Sequence, residues 1–137
     1  MIYAFDSNMI SAILKRDINI ITRYREEISN GNEFIIPPIA FYEVERGLLS
    51  ANLLNKRRAF IEFCKDIEVG EFNYEIWQKS AQIYATLKKQ GNPIGDKFDG
   101  DVFIAAYCLV NDYTLITNNT RDFKRIDGLK FVNWYQN

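Results

Sequence analysis

Five acidic residues in three places frame the chemistry open to this 137-residue chain: Asp6 after "MIYAF", Glu43 inside "YEVERG", and Asp96, Asp99 and Asp101 crowded into "GDKFDGDVFIAAYC". Asp101 opens an apolar run, which puts its carboxylate in the first turn of a helix, where unsatisfied backbone N–H groups favour negative charge. Capping accounts for one aspartate there, not for three. Two unit charges about 4 Å apart repel by roughly 4 kcal/mol at an effective dielectric of 20, so Asp6, Glu43 and Asp101 gathered at one rim would call for a cation. An all-oxygen set of this kind suits Mg²⁺ or Mn²⁺.

The rest of the composition narrows the alternatives. The chain has no histidine, which excludes Ser-His-Asp and Cys-His hydrolysis, paired-histidine RNA cleavage and thiolate–imidazole zinc sets. Any hydrolysis must then rely on carboxylates. Its two cysteines, Cys64 and Cys108, are too few for a disulfide framework and read as small core residues. A net charge of −1 and a pI near 5.5 lack the basic excess of a nucleic-acid-coating protein, yet leave room for an enzyme that grips phosphates locally. With no signal-peptide pattern and no apolar run near the roughly 20 residues of a membrane span, the expectation is a cytoplasmic protein that does not engage a membrane.

These acids need elements to hold them. "MIYAF" reads as a buried strand, with "SNMISAILK" a capped helix behind it. "INIITRYREEISNG" is a helix closed by Asn30-Gly31, and "EFIIP" a second strand. Pro38 starts a helix carrying Glu43, "NKRRAFIEFCKD" is another, and "IEVG" is a brief strand. "YEIWQKSAQIYATLKKQG" is the longest helical pattern; "VFIAAYCLVND" follows the aspartates; "YTLIT", a polar turn or short helix "NNTRDF", and a last strand in "LKFVNW" finish the chain. Strands alternating with helices argue for α/β architecture with a parallel sheet, in one domain spanning residues 1–137. Asp6, and Asn118 with Asn119 after "TLIT", then fall on the rim at the carboxyl ends of the strands, where such sheets bind ligands.

Each candidate has a plainer reading. Asp6 could simply cap the helix after it. Glu43 lies toward the apolar side of its helix and Glu45 toward solvent, but Glu43 could equally be a surface acid paired with Arg46 or Arg57. Ser7 and Asn8 could fix the Asp6 carboxylate or serve as caps, and Asn118 could play the same part beside Asn119. Arg121, Lys124 and Arg125 are candidates for phosphate contact, as are Lys56, Arg57 and Arg58, against the alternative of solvated faces. Phe41, Tyr42, Phe60, Phe63, Trp77 and Tyr84 are assigned mostly to the core by helical spacing, with some available to line a surface for another chain.

"FDSN", "YEVERG", "DVFIAA" and "TLITNNTRDFKRIDGLKFVNW", taken in order, resemble a PIN domain, and with "GNPIG" the VapC toxins of type II toxin–antitoxin systems in particular. The resemblance implies a three-layer α/β/α PIN-like fold around a central, mostly parallel twisted sheet. It also implies a Mg²⁺-dependent endoribonuclease, with Mn²⁺ a plausible substitute, that hydrolyses tRNA or another structured RNA to inhibit translation. Asp6, Glu43 and Asp101 match the acidic core: two metal-binding aspartates, and Glu43 as ligand or proton acceptor. Asn119 falls on the fourth acidic position of many PIN domains, and Asp99 and Asp96 are outer candidates. A homodimer and a VapB-like antitoxin lying across the acidic groove are implied as partners, giving a toxin–antitoxin hetero-oligomer. Two rivals stand beside this reading: a phosphotransfer receiver-like domain, and a non-catalytic PIN-like binding module.

Overall fold

The strand β1 (Ile2–Phe5) is apolar throughout because it lies in the middle of a sheet covered on both faces; Tyr3, Ala4 and Phe5 are all buried. The computed structural model describes residues 1–91 and 99–135, so Asp96 and most of "GNPIG" lie outside the described residues. Along the chain follow α1 (Ser7–Leu14), α2 (Ile18–Ser29), β2 (Glu33–Ile36), α3 (Pro38–Ser50), α4 (Leu54–Asp66), β3 (Glu68–Val69) and α5 (Tyr74–Lys89), then α6 (Gly100–Asn111), β4 (Thr114–Ile116), α7 (Thr120–Phe123) and β5 (Phe131–Val132). The "NNTRDF" stretch is therefore a helix of one turn, and the last strand shrinks to two residues.

The strand order is β3-β2-β1-β4-β5, and every pairing among the described residues is parallel. Helices flank this sheet in the three-layer arrangement expected of an α/β/α fold. From β1 the chain builds outward through β2 and β3 on one side, and through β4 and β5 on the other. The order thus reverses between β1 and β4, which opens a crevice at the carboxyl ends of those two strands. Asp6 directly follows β1, and Thr117 directly follows β4.

The local signals do their expected work. Asp17 caps α2 through the N–H groups of Asn19 and Ile20, Pro38 occupies the first turn of α3, and Asn73 caps α5 through Ile76. Gly31 ends the α2 turn at φ +83, in the left-handed region glycine tolerates. Helix α6 is buried almost all round, with Val102, Ile104, Ala105, Ala106, Tyr107 and Cys108 inside, so it serves as an interior pillar with its first turn at the crevice. On the other flank, Phe5 stacks on Phe34 at 5.2 Å between ring centres and Tyr24 meets Phe34 edge-on at 4.8 Å.

Three aromatics assigned to the core are not in it. Tyr42, Trp77 and Tyr84 are 49%, 50% and 42% exposed, whereas Phe60 is fully buried. Helical spacing identifies a coherent face and does not say whether the same chain covers it. Glu45 also departs from expectation: it is held by Arg57 through Nε at 2.8 Å and a second contact at 3.4 Å, because α4 folds back beside α3. Among the described residues, no helix is long and apolar enough to cross a membrane.

Candidate active site

Asp6 sits where strand becomes helix, and both demands act on it at once. Its backbone N–H extends the sheet by bonding to the Ile116 carbonyl at 3.0 Å, while its side chain caps α1 by accepting from the Ser7 N–H at 2.7 Å. The capping reading of Asp6 is therefore correct as far as it goes. The carboxylate is nevertheless only 2% exposed, and its other oxygen accepts a 2.7 Å bond from the Thr117 hydroxyl. Burial pushes its pKa up, and the Thr117 and Ser7 hydrogen bonds pull it part of the way back.

Thr117 is the residue that sequence reasoning passed over. It is fully buried, donates to Asp6, and accepts the Asn119 N–H at 3.0 Å, so one hydroxyl ties the end of β1 to the turn after β4. Its only signal was a polar residue closing the apolar strand "TLIT".

Glu43 comes from α3, on the other side of the crevice. Its carboxyl is pushed up to about 7, first by burial, then by the negative charges of Asp6 and Asp101; Arg46 and a hydrogen bond from Ser7 draw it down. Arg57 is taken by Glu45, and Arg46 lies over the Tyr42 ring at 5.1 Å. The Glu43 Oε1 atom is buried with no hydrogen-bond partner among the described residues, and such an orphan costs free energy unless something satisfies it. The three acids thus share one electrostatic field. They do not form a closed cage: among the described residues no three Asp, Glu or Cys side chains lie close enough to enclose one ion. Mutual repulsion opposes closer approach, and Asp6 is already held by Thr117 and Ser7. Those three carboxylates, one with an orphaned buried oxygen, are a donor set of the chemistry a hard divalent cation takes, although as they stand here they do not close around one.

The remaining candidates divide sharply. The Asn119 amide donates to Asp101 Oδ2 at 3.1 Å and to Asp122 Oδ2 at 3.2 Å. Asp99 occupies the cap position of α6 with no side-chain capping bond; its carbonyl takes the Phe103 N–H at 3.0 Å. Ser7 reaches Asp6 through its hydroxyl as well, at 3.5 Å. Asn8 and Asn118 are exposed, and no hydrogen bond joins either to an acid of the site among the described residues. Arg121 and Lys124 are exposed, while Arg125 is paired to Asp122 at 3.5 Å. In the second basic cluster Arg57 belongs to Glu45, and Lys56 joins Lys15 on the rim of a groove of about 220 Å³, floored by Leu14, Val44 and Leu48 and reaching Glu43. Cys108 is fully buried, its thiol pushed up by burial and by Asp6, and Cys64 is raised to about 11 by burial; both are inert at neutral pH.

Residues 3–129 match the PIN domain family. Ribonuclease VapC1 of Haemophilus influenzae (strain R2866) is 30% identical over 135 residues, covering 98% of each chain. The tRNA(fMet)-specific endonuclease VapC of Shigella flexneri is 29% identical over 106 residues, covering 77% of this chain and 78% of that one. Among solved structures, VapBC-1 from nontypeable Haemophilus influenzae superposes with a TM-score of 0.86 at 29% identity, covering 99% of this chain and 100% of the other.

Proposed function

The chain belongs to the PIN domain family, and on that footing we propose that it is a metal-dependent endoribonuclease, the toxin of a type II toxin–antitoxin system, acting as one domain. The observation that carries the reading is the Glu43 carboxyl: a buried acid with an orphaned oxygen, raised to about 7 by burial and by two neighbouring carboxylates. Buried acids with such perturbed environments gather at functional sites.

Asp6 and Asp101 are the proposed metal ligands, with Mg²⁺ the proposed ion and Mn²⁺ its substitute. When bound, the ion supplies a water of lowered pKa and positive charge against the reacting phosphate. Glu43, whose Oε1 has no donor among the described residues, would take the proton from that water. Thr117 and Ser7 keep Asp6 oriented. Attack by water leaves a 5′-phosphate and a 3′-hydroxyl, and the RNA 2′-hydroxyl takes no part. Arg121 stands beyond the acids as a phosphate contact, and tRNA or another structured RNA is the proposed substrate.

A VapB-like antitoxin is the proposed partner, with its tail across the acidic crevice and the apolar groove beside Glu43. The exposed Tyr42, Trp77 and Tyr84 supply surface for a homodimer. Action on translation places the protein in the cytoplasm. A receiver-like role finds no support: β2 runs out into Ile36-Pro37 and β3 into Val69-Gly70, so neither offers the aspartate that would accept a phosphoryl group.

The test is cleavage of total tRNA and ribosomal RNA with Mg²⁺ and with a chelator, comparing wild type with Asp6→Asn and Asp101→Asn. Loss in both variants and in chelator, with 5′-phosphate ends from the wild type, is the expected result. Equal cleavage by all three proteins would defeat the enzyme reading and leave a binding module.

A further inference from the structure

The Asn119 amide lies between two of the acids, and its two hydrogen bonds decide how it behaves. Nδ2 donates to Asp101 Oδ2 at 3.1 Å and to Asp122 Oδ2 at 3.2 Å. An amide nitrogen carries two protons, so this pair of carboxylates uses both. The reversed amide would set its carbonyl oxygen against two carboxylate oxygens, a repulsive arrangement at both contacts, so electrostatics fixes the orientation. The backbone fixes the position: the Asn119 N–H is held by Thr117 Oγ1 at 3.0 Å, and its carbonyl accepts the Phe123 N–H of α7 at 3.4 Å.

We propose that Asn119 serves the site as a clamped double donor, not as a metal ligand, and that Asp122 is the positioning residue that enforces this through its 3.2 Å contact. Asp122 lies three residues on, one helical turn away, and its other oxygen faces Arg125 Nη1 at 3.5 Å, which offsets the charge of a second aspartate so near Asp101. Asp101 then keeps one oxygen tied to Asn119 and a fixed direction for the other. The inference rests on the nuclease reading for its consequence, though not for its geometry. It also accounts for an amide at this position: a carboxylate at 119 would face Asp101 and Asp122 with no proton to share.

Two measurements on the full chain separate the possibilities. The first is hydrogen exchange of the Asn119 side-chain amide by ¹⁵N NMR, which needs neither metal nor RNA. Both Nδ2 protons should exchange slowly in the wild type, and one should become fast in Asp122→Ala. The second is Mn²⁺ affinity by titration, alongside kcat and KM for RNA. Asp122→Ala should weaken Mn²⁺ binding by about tenfold and lower kcat with KM little changed. Asp122→Asn should restore most of both, because its amide oxygen still accepts from Asn119 although the contact with Arg125 is given up. If Asp122→Ala leaves amide exchange and Mn²⁺ affinity at wild-type values, the proposal is overturned; if Asp122→Asn falls as far as Asp122→Ala, charge pairing with Arg125 and not the clamp is at work, and it is overturned equally. A wild type that neither binds Mn²⁺ nor cuts RNA sinks the nuclease reading, while amide exchange still decides the clamp.

Discussion

Two glutamates drawn into this molecule from opposite ends of the sheet meet opposite fates. Glu27, near the amino ends of the strands, is 8% exposed yet engaged at both oxygens: Arg23 Nε donates to one at 3.1 Å and Asn32 Nδ2 to the other at 2.6 Å. Glu43, at the carboxyl ends, has a buried oxygen without a partner and two like charges for neighbours. Both are acids on amphipathic helices, and lying toward an apolar face does not say how either is compensated. The difference is compensation. Where donors close around a carboxylate, it fastens α2 to the sheet; where they are withheld, the fold carries a cost that a bound cation and a proton transfer can offset. A buried acid is therefore informative only together with the inventory of what surrounds it.

The comparison breaks first on activity. Glu43→Gln should lower RNA cleavage by about a thousandfold while leaving the metal-free fold as stable as before or more so, since it removes an ionisable group from an unfavourable field. Single-turnover cleavage and thermal melting of the same preparation check both halves; a variant that cuts normally would reduce Glu43 to a misplaced surface acid. Glu27→Ala should do the reverse. Losing hydrogen bonds from two donors to a buried carboxylate should cost about 2 to 3 kcal/mol of stability, read by urea unfolding, with kcat per folded molecule unchanged. Equal effects of both substitutions on activity would erase the distinction between the two poles.

What the sequence made legible follows the same physics. Asp6 and Asp101 stand out because each breaks an apolar run at a place where a strand or helix must begin or end, and the strand–helix alternation placed them on one rim. Glu43 was ambiguous because its alternative partner, Arg57, could be excluded only by knowing that α4 brings Arg57 to Glu45, twelve residues away. Thr117 was invisible because threonine closing a strand is ordinary for a β-branched residue; only the register of β1 against β4, Phe5 opposite Ile116, brings its hydroxyl to Asp6. Asp122 was hidden in "TRDF", which reads as a solvated turn until Asn119 is seen to point along it. Trp77 and Tyr84 show the converse limit: periodicity found their face, but the described chain covers it only in part, with Trp77 edge-on to Phe72 and Phe103 and still 50% exposed.

A finer effect is expected in the pH dependence of stability. The Glu43 carboxyl stands at about 7 in the folded chain against an ordinary 4.5, so between those values the folded state binds more protons than the unfolded one. Its contribution to stability is therefore full below about 4.5 and lost as pH rises through 7. Asp6, also raised, acts with the same sign. In metal-free protein, melting at pH 5 and pH 8 should show a wild-type loss that is smaller in Glu43→Gln, and a divalent cation should recover most of the difference at pH 8. Identical slopes for the two proteins would mean that Glu43 is as well compensated as Glu27.

The smallest effect extends the comparison from acids to bases. Arg57 is committed to Glu45 at 2.8 Å and Arg23 to Glu27 at 3.1 Å, so their charges already serve the fold. Arg121 is exposed beside the acids, with no ion pair among the described residues. A phosphate contact made by an uncommitted arginine adds affinity without sequence preference, and its loss is read through counterion release. Arg121→Ala should raise KM by a few fold and reduce the slope of log KM against log salt by about 0.7, the value for one contact to a single strand, with kcat and melting temperature unchanged. Arg57→Ala should leave the salt slope untouched and lower the melting temperature instead, because what it loses is a contact within the protein. If the two arginines exchange these outcomes, RNA approaches the crevice from the α3–α4 side and past Glu43, not from α7.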